Sequence, residues 1–324
     1  MSKTPTSKSP ATKKPSSSRT NVNKDNARKA PARSAGGRPA GLFTWVAVGL
    51  VVIVVAALVV IKVANGSPSS STNSAWQAAD PTVVAQVTGV PASTLDAVGV
   101  SSPVVKVYPP LFLKGQPVMT AKSASGPTLP RVVYIGAEFC PYCAAQRWSL
   151  IIALSRFGTI AKLGNTTSSS VDADPNTPTF TFHRMTFTSK YIVFKSYELY
   201  TRVPDPANNY YFPLEKLSSA DFKMYAKYDS GKFVPGIHGQ GFPFINFANQ
   251  SLVAGPMYTS AGWNGVSRNQ IAAGLSSPAS PITDGILTAA NEQTAAICSL
   301  THNQPSAVCT SKGVTAAKKL LKIK

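Results

Sequence analysis

The chain has 324 residues, enough for one large domain or two small ones, and its apolar fraction of 44% can supply a core. Its net charge of +19 would favour a nucleic-acid-binding protein if that charge covered a folded surface. The charge lies instead at the ends: residues 1–41 hold ten Lys and Arg with one acid, and residues 312–324 hold five Lys with none. The 17 basic and 12 acidic residues between them nearly balance, so no nucleic-acid partner is predicted.

The N-terminal part of the chain predicts a tail followed by a membrane anchor. Residues 1–41 are too polar to bury a core and are expected to form a disordered, basic, cytoplasmic tail. Residues 42–61 lie in an uncharged run, GLFTWVAVGLVVIVVAALVVI, long enough to span a bilayer as a helix. A cleaved signal peptide is the main alternative, but its apolar region is usually shorter.

The charge around this run sets the expected orientation. Ten basic residues precede it and only Lys62 follows closely, so residues 62–324 are predicted to lie outside the cytoplasm. Residues 62–78 are then a flexible linker, residues 79–310 the extracytoplasmic domain, and residues 311–324 a basic C-terminal tail. The basic segment beside the anchor also favours contact with anionic lipid head groups.

Within the domain, the pattern of apolar, capping and turn residues predicts alternating helices and strands. The predicted elements, in chain order, are helices over 80–87 and 91–99, a hairpin over 104–118, a buried strand over 132–135, a helix from 141 to about 157, a polar loop over 165–178, one or two strands in 179–203, helical turns in 213–229, a hairpin over 241–255, and helices over 266–275 and 280–300. This order favours an α/β class with helices on both faces of a sheet.

The sequence AEFCPYC places Cys140 and Cys143 where the strand ends and the helix begins. Cysteines three residues apart at a helix start can reach one another, and the N-terminal thiol lies at the positive end of the helix dipole, which lowers its pKa. Cys140 is therefore the expected nucleophile and Cys143 the resolving thiol, with Pro141 suited to the first turn. A static disulfide and half of a zinc site are the alternatives; zinc would need a second ligand pair at a suitable spacing, so no metal or cofactor is predicted.

Residues 131–275 resemble the thioredoxin superfamily. The resemblance rests on the motif AEFCPYC and on GFPFINF about a hundred residues later. The resemblance implies a three-layer sandwich with an insertion between the CxxC helix and the strand that follows a cis-proline. Pro243 stands at that proline position, and Phe242 before it would pair its backbone with a substrate. A proline at the start of an edge strand is the alternative. The dipeptide Pro141-Tyr142 is similar to that of glutaredoxins and would contribute to substrate binding.

The chain from about residue 75 to 310 further resembles a group of membrane-anchored thioredoxin-like proteins, domain of unknown function 929. That resemblance implies a fold and a redox site but no substrate. Thioredoxins carry a buried acid at the position matched here by Tyr134, so this chain departs from their pattern. Glu138 is another acid near the cysteines, although its position favours an exposed loop carboxylate.

Cys298 and Cys309 form the second cysteine pair. The simplest interpretation is a structural disulfide that closes a loop after the last helix; the alternative is a relay that passes electrons to Cys140 and Cys143.

Together these features predict a membrane-anchored, extracytoplasmic thiol–disulfide oxidoreductase. Its expected partners are protein thiols or disulfides, the lipid bilayer, and a membrane enzyme that reoxidises or rereduces the CxxC. The sequence does not fix the direction of electron flow, which depends on the relative stability of thiolate and disulfide. The alternative function is a non-catalytic binding or scaffold domain in which both cysteine pairs are structural disulfides.

Overall fold

A computed structural model describes residues 75–100, 105–237 and 239–323 of the chain. The predicted tail (1–41), the predicted anchor (42–61) and residues 62–74 of the predicted linker lie outside the described residues. None of the helices formed within the described ranges has both the length and the apolar character needed to cross a bilayer.

The described residues form eight helices and twelve strands. The helices are α1 Pro81–Thr88, α2 Ala92–Val98, α3 Pro141–Ser155, α4 Ser219–Tyr228, α5 Arg268–Gly274, α6 Pro281–Leu300, α7 Ser306–Cys309 and α8 Lys312–Leu321. The strands are β1 Leu111–Phe112, β2 Thr120–Lys122, β3 Thr128–Gly136, β4 Gly158–Ala161, β5 Gly164–Thr167, β6 Pro178–Thr181, β7 Thr186–Ser189, β8 Val193–Glu198, β9 Tyr200–Asp205, β10 Tyr210–Pro213, β11 Phe244–Phe247 and β12 Ser251–Ala254.

Strand β3 is the centre of a six-stranded mixed sheet. On one side it pairs antiparallel with β11, which continues to β12 and β1. On the other side its beginning pairs antiparallel with β2 and its end pairs parallel with β8. Four residues of β3 are fully buried, Val132 to Ile135, as expected for a strand covered on both faces.

Successive side chains of β3 point to opposite faces of the sheet, so they pack into two different hydrophobic clusters. Val132 and Tyr134 belong to the larger cluster, which includes the apolar residues of α3 and α6. Val133 and Ile135 belong to a smaller cluster with Tyr225 of α4. Helices therefore cover both faces of the sheet, and the predicted α/β class is confirmed.

The predicted hairpin over 104–118 is wrong. Its residues contribute β1, which pairs with β12, and the following β2 pairs with the start of β3, so the two strands flank the sheet at different places. The side-chain amide of Gln250 donates to the carbonyl of Gln116 and helps hold the connecting loop. Strand β1 takes its hydrogen bonds from β12, far away in sequence, and β2 takes its own from β3, which follows it, so neither strand has its partner within 104–118. The hairpin predicted over 241–255 is present as β11–β12.

The segment 179–203, predicted as one or two strands, contains β6, β7, β8 and the start of β9. The polar loop predicted over 165–178 begins with most of β5, which pairs antiparallel with β6. Tight turns divide these strands: Arg184, between β6 and β7, adopts a positive φ of 63°. The turns within residues 179–203 contain no glycine or proline. The sequence therefore shows no break there, so it predicts one or two strands.

Both predicted boundaries of the domain need correction. At the C-terminus, α8 occupies most of the predicted tail 311–324, with Val314 and Ala317 fully buried. A Cβ added to Gly313 would come within 2.6 Å of the Leu95 carbonyl oxygen, so the missing side chain permits this close packing. The lysines stay largely at the surface because the small and apolar residues recur at helical spacing. At the N-terminus, the Gln77 carbonyl accepts the N–H of Asn165, so the fold begins before residue 79.

Candidate active site

The site lies where β3, β8 and β11 reach the start of α3. Gly136, the last residue of β3, pairs with Glu198 at the end of β8. On the other side Phe244 pairs with Ile135, so Pro243 lies one residue beyond, next to the same end of β3. The Phe242–Pro243 peptide bond is cis, as the resemblance to thioredoxins implies.

Cys140 is the N-cap residue of α3, with Pro141 as the first helical residue. The backbone N–H of Cys143 donates to the Cys140 sulfur over 3.2 Å, so this sulfur satisfies one of the free amides at the helix start. Both cysteines are free; Cys140 is 5% exposed and Cys143 is fully buried. Cys140 therefore lies at the N-terminus of α3 near the surface, whereas Cys143 lies in the first turn of the helix and is buried.

The surroundings separate the acidities of the two thiols. A hydrogen bond with Cys143 is the largest influence that lowers the pKa of Cys140, and it outweighs burial, with the buried guanidinium of Arg147 helping. Burial, followed by the hydrogen bond with Cys140, raises the pKa of Cys143 well above its ordinary value. The more accessible cysteine thus forms the thiolate more readily, and the raised pKa keeps the buried thiol protonated.

A buried ion pair lies beneath the cysteines. Arg147 Nε and Nη2 donate to the two carboxylate oxygens of Glu198 over 2.8 and 2.7 Å, and Nη2 also donates to the Ala137 carbonyl over 2.8 Å. Both side chains are fully buried. Burial raises the pKa of Glu198 to about 7, against the opposing effect of Arg147. The pair therefore places a positive charge and a titratable carboxyl within electrostatic reach of Cys143.

The sequence did not mark Arg147 or Glu198 as residues of the candidate site. Arg147 stands four residues after Cys143, within a helix that is otherwise mostly apolar and small, and a charge in such a helix is the feature that could have marked it. Glu198 has no comparable mark, because it lies in a polar, aromatic strand far away in sequence. Only the parallel pairing of β8 with β3 brings it to the cysteines.

Two further residues near the cysteines, Glu138 and Tyr134, have polar groups that are buried. Glu138, expected to be an exposed carboxylate, is 7% exposed, because its backbone N–H donates to the Tyr200 carbonyl and draws the loop against β9. Tyr134 is fully buried, and its hydroxyl has no hydrogen-bond partner among the described residues. Burial raises the pKa of Tyr134, so this hydroxyl remains neutral.

The other predicted site residues lie around the same position. Phe242 packs against the cluster that contains Cys140 and Cys143, and Tyr142 is 38% exposed, whereas Pro141 is buried. The N–H and carbonyl of Phe242 have no hydrogen-bond partner within the described part of the chain. Over the same residues, no group of three or more His, Cys, Asp and Glu side chains could hold a metal ion.

Cys298 at the end of α6 and Cys309 at the end of α7 form a disulfide with a Cα–Cα distance of 5.7 Å. Both residues are fully buried. Dithiol exchange requires a thiolate to reach one of the two sulfurs, and burial prevents this in the folded protein. The burial favours the structural interpretation over the electron relay.

We expect the variant Cys298→Ser/Cys309→Ser to lose about 3 kcal/mol of folding free energy, because it removes a constraint on a short loop of the unfolded chain. Urea unfolding measures this loss. The rate at which iodoacetamide modifies Cys140 should remain that of the wild-type protein under native conditions. A large fall in CxxC turnover without loss of structure would support the relay instead.

Residues 119–299 match the model of the protein family described as a domain of unknown function (DUF929). The chain belongs to the DUF929 family. The region matched contains Cys140, Cys143, Arg147, Glu198 and Pro243, so the whole candidate site lies inside the DUF929 domain. The comparisons with curated proteins and with solved structures find no significant match.

Proposed function

We propose that this protein is a thiol–disulfide oxidoreductase of thioredoxin-like fold that acts on protein substrates outside the cytoplasm. The observation that carries the proposal is the asymmetry of the cysteine pair. Cys140 caps a helix, touches the surface and has a lowered pKa, whereas Cys143 is fully buried and has a raised one. Disulfide exchange by a CxxC pair requires this division between an attacking and a resolving thiol.

In the reducing direction, the Cys140 thiolate attacks one sulfur of a substrate disulfide. A Cys140–substrate disulfide forms, the substrate S–S bond breaks, and the second substrate sulfur leaves as a thiolate that takes up a proton. Cys143 then loses its proton and attacks the Cys140 sulfur. The Cys140–Cys143 disulfide forms, the substrate leaves with two thiols, and two electrons have passed from protein to substrate. The oxidising direction is the same sequence in reverse.

The buried pair fits the second step. Cys143 must lose its proton inside the protein, where no solvent reaches it. The carboxyl group of Glu198, with its pKa raised to about 7 by burial, can accept a proton at neutral pH, and Arg147 stabilises the thiolate that results. In this scheme Glu198 is a catalytic residue, because it accepts the proton of a reacting sulfur, and Arg147 is a positioning residue that acts through its charge.

The proposed location rests on the sequence and on the second disulfide. The uncharged run at 42–61 with its basic leader favours an anchor with the domain outside the cytoplasm. The buried Cys298–Cys309 disulfide fits an oxidising compartment. A membrane enzyme would then restore the CxxC after each turnover, and its identity would set the direction of electron flow.

A trapping experiment tests the function. In the variant Cys143→Ala the resolving thiol is missing, so substrates should accumulate as mixed disulfides on Cys140 that run as slow bands on non-reducing gels. The matched control is Cys140→Ala/Cys143→Ala, which should give no such bands. Purified reduced protein should also reduce insulin disulfides. An empty trap together with no insulin reduction would favour the scaffold alternative.

A further inference from the structure

Five aromatic residues surround the mouth of α3, and the reaction scheme above does not require them. We define the aromatic cluster as Phe139, Tyr200, Tyr210, Tyr211 and Phe242. The rings of Phe139 and Tyr211 are stacked with centroids 4.0 Å apart. Phe139 also meets Phe242 at 6.2 Å, and Tyr200 meets Tyr210 edge-on at 4.9 Å. Three of the five rings come from one ribbon, the β9–β10 hairpin.

The aromatic cluster lies directly at the reactive thiol. Phe139 precedes Cys140 in the chain, and Tyr200, Tyr211 and Phe242 pack against the group formed by Phe139 and the two cysteines. The fifth member, Tyr210, meets the ring of Phe139 edge-on, with centroids 5.6 Å apart. Cys140 is only 5% exposed. A substrate that reaches its sulfur must therefore contact these rings.

The cluster also carries polar groups that the protein leaves unused. Among the described residues, the hydroxyls of Tyr200, Tyr210 and Tyr211 have no hydrogen-bond partner. Within the same part of the chain, the N–H and the carbonyl of Phe242 have none either. Tyr225 and Tyr258 contrast with them, because their hydroxyls donate to the carbonyls of Gly241 and Ala145. Rings with free hydroxyls suit a ligand that is apolar in its side chains and polar in its backbone.

The cluster is uncharged. No Lys or Arg of the described residues stacks on any of its rings; the cation–π contacts in that part of the chain all involve other aromatic residues. Arg147, the cation that acts on Cys140, is fully buried and paired with Glu198. Small acidic thiols, such as peptides with several carboxylates, would find no exposed cation on these rings. An uncharged chain would instead bury its side chains there.

We propose that the β9–β10 hairpin and Phe242 select extended polypeptide segments in which the reacting cysteine is flanked by aromatic or large apolar residues. This inference rests on the proposed function and names its substrate class. The flanking side chain would pack between the rings of the cluster, while the peptide group of Phe242 and the tyrosine hydroxyls bind the segment's backbone. Such segments are exposed in unfolded proteins and buried in folded ones.

The test uses reduced full-length protein and three synthetic peptides. Each holds one cysteine, flanked on both sides by phenylalanine, alanine or glutamate, as a mixed disulfide with thionitrobenzoate. Attack by Cys140 joins the peptide to the protein and releases the coloured thiolate, which reports the rate. We expect the phenylalanine peptide to react at least about tenfold faster than the alanine peptide, from burial of its rings. The glutamate peptide should react most slowly.

Two variants separate selection from folding. In Tyr210→Ala, which removes a ring that is 45% exposed, the preference for phenylalanine over alanine should fall to about threefold or less, consistent with the loss of one ring contact. Modification of Cys140 by the small uncharged reagent iodoacetamide should not slow, because less of the sulfur is covered. The matched control Phe222→Ala removes a ring that is 55% exposed on α4, outside the aromatic cluster, and should keep the wild-type preference.

The outcomes distinguish this inference from the proposed function. Equal rates with the three peptides, alongside normal modification by iodoacetamide, would overturn the substrate class and leave disulfide exchange intact. A preference that survives in Tyr210→Ala and in Tyr211→Ala would overturn the assignment to the hairpin. If Cys140 releases no thionitrobenzoate from any peptide, both the inference and the proposed function are wrong.

Discussion

Replacement of Cys140 by serine is expected to slow protein disulfide reduction at least about a thousandfold, because a hydroxyl cannot replace the attacking thiolate. Cys143→Ser should also stop turnover, but it should still form mixed disulfides through Cys140. Insulin reduction measures the first effect, and intact-protein mass spectrometry after incubation with a peptide disulfide measures the second. The difference between the variants follows from which sulfur reaches the surface.

The pH dependence of alkylation separates the two thiols without mutation. The pKa of Cys140 is lowered and that of Cys143 is raised, so at about pH 7 iodoacetamide should modify Cys140 almost exclusively. The rate should rise with pH through the pKa of Cys140 and then level off, since the thiolate is the reactive form. Equal labelling of both cysteines in folded protein would contradict the assignment of nucleophile and resolving thiol.

The second large effect concerns the buried ion pair. We expect Arg147→Met and Glu198→Gln each to lower the free energy of unfolding by about 3–5 kcal/mol, because each leaves a buried polar or charged partner uncompensated. The double variant should lose less than the sum of the two losses, since the remaining partner is then removed as well. Urea unfolding at one pH gives all three values.

The same variants should change the thiols in opposite directions. The charge of Arg147 lowers the pKa of Cys143 and the charge of Glu198 raises it, although burial is the larger influence. Arg147→Met should therefore shift the titration profiles of both thiols, followed by thiolate absorbance because Cys143 is buried, to higher pH, and Glu198→Gln should shift that of Cys143 to lower pH. A merely structural pair would lower stability and leave both profiles in place.

A matched control separates stability from chemistry. Arg131 and Asp221 form another bidentate pair, with distances of 2.6 and 2.9 Å, at the opposite end of β3 from the cysteines. Asp221→Asn should lower stability because this carboxylate is buried, and the titration profiles of both thiols should match wild type. If Asp221→Asn moves the profiles as far as Glu198→Gln does, the effect reports general loosening of the fold.

The sequence by itself determined the elements whose signals are local. The cysteine pair at a helix start depends on a capping position and a proline at the first turn, and both lie within four residues. The long helix α6 follows from the N-cap Ser280, the proline at its first helical position and a run of mostly small and apolar residues. The hairpin β11–β12 likewise follows from two apolar runs around Ala248 and Asn249, which adopt the positive φ angles of its turn.

Only the tertiary structure decided the features that depend on distant pairing. Strand β8 brings Glu198 next to Gly136, and the β9–β10 hairpin packs Tyr200 and Tyr211 against the cluster that contains Cys140; no pattern within either segment contains that information. The packing of α8 was missed for a related reason, since its lysines dominate the composition while Val314 and Ala317 make the contacts. Local sequence fixes capping, turns and periodicity through neighbouring atoms. Burial, and with it the pKa of each cysteine, depends on which remote strands and helices close around the site.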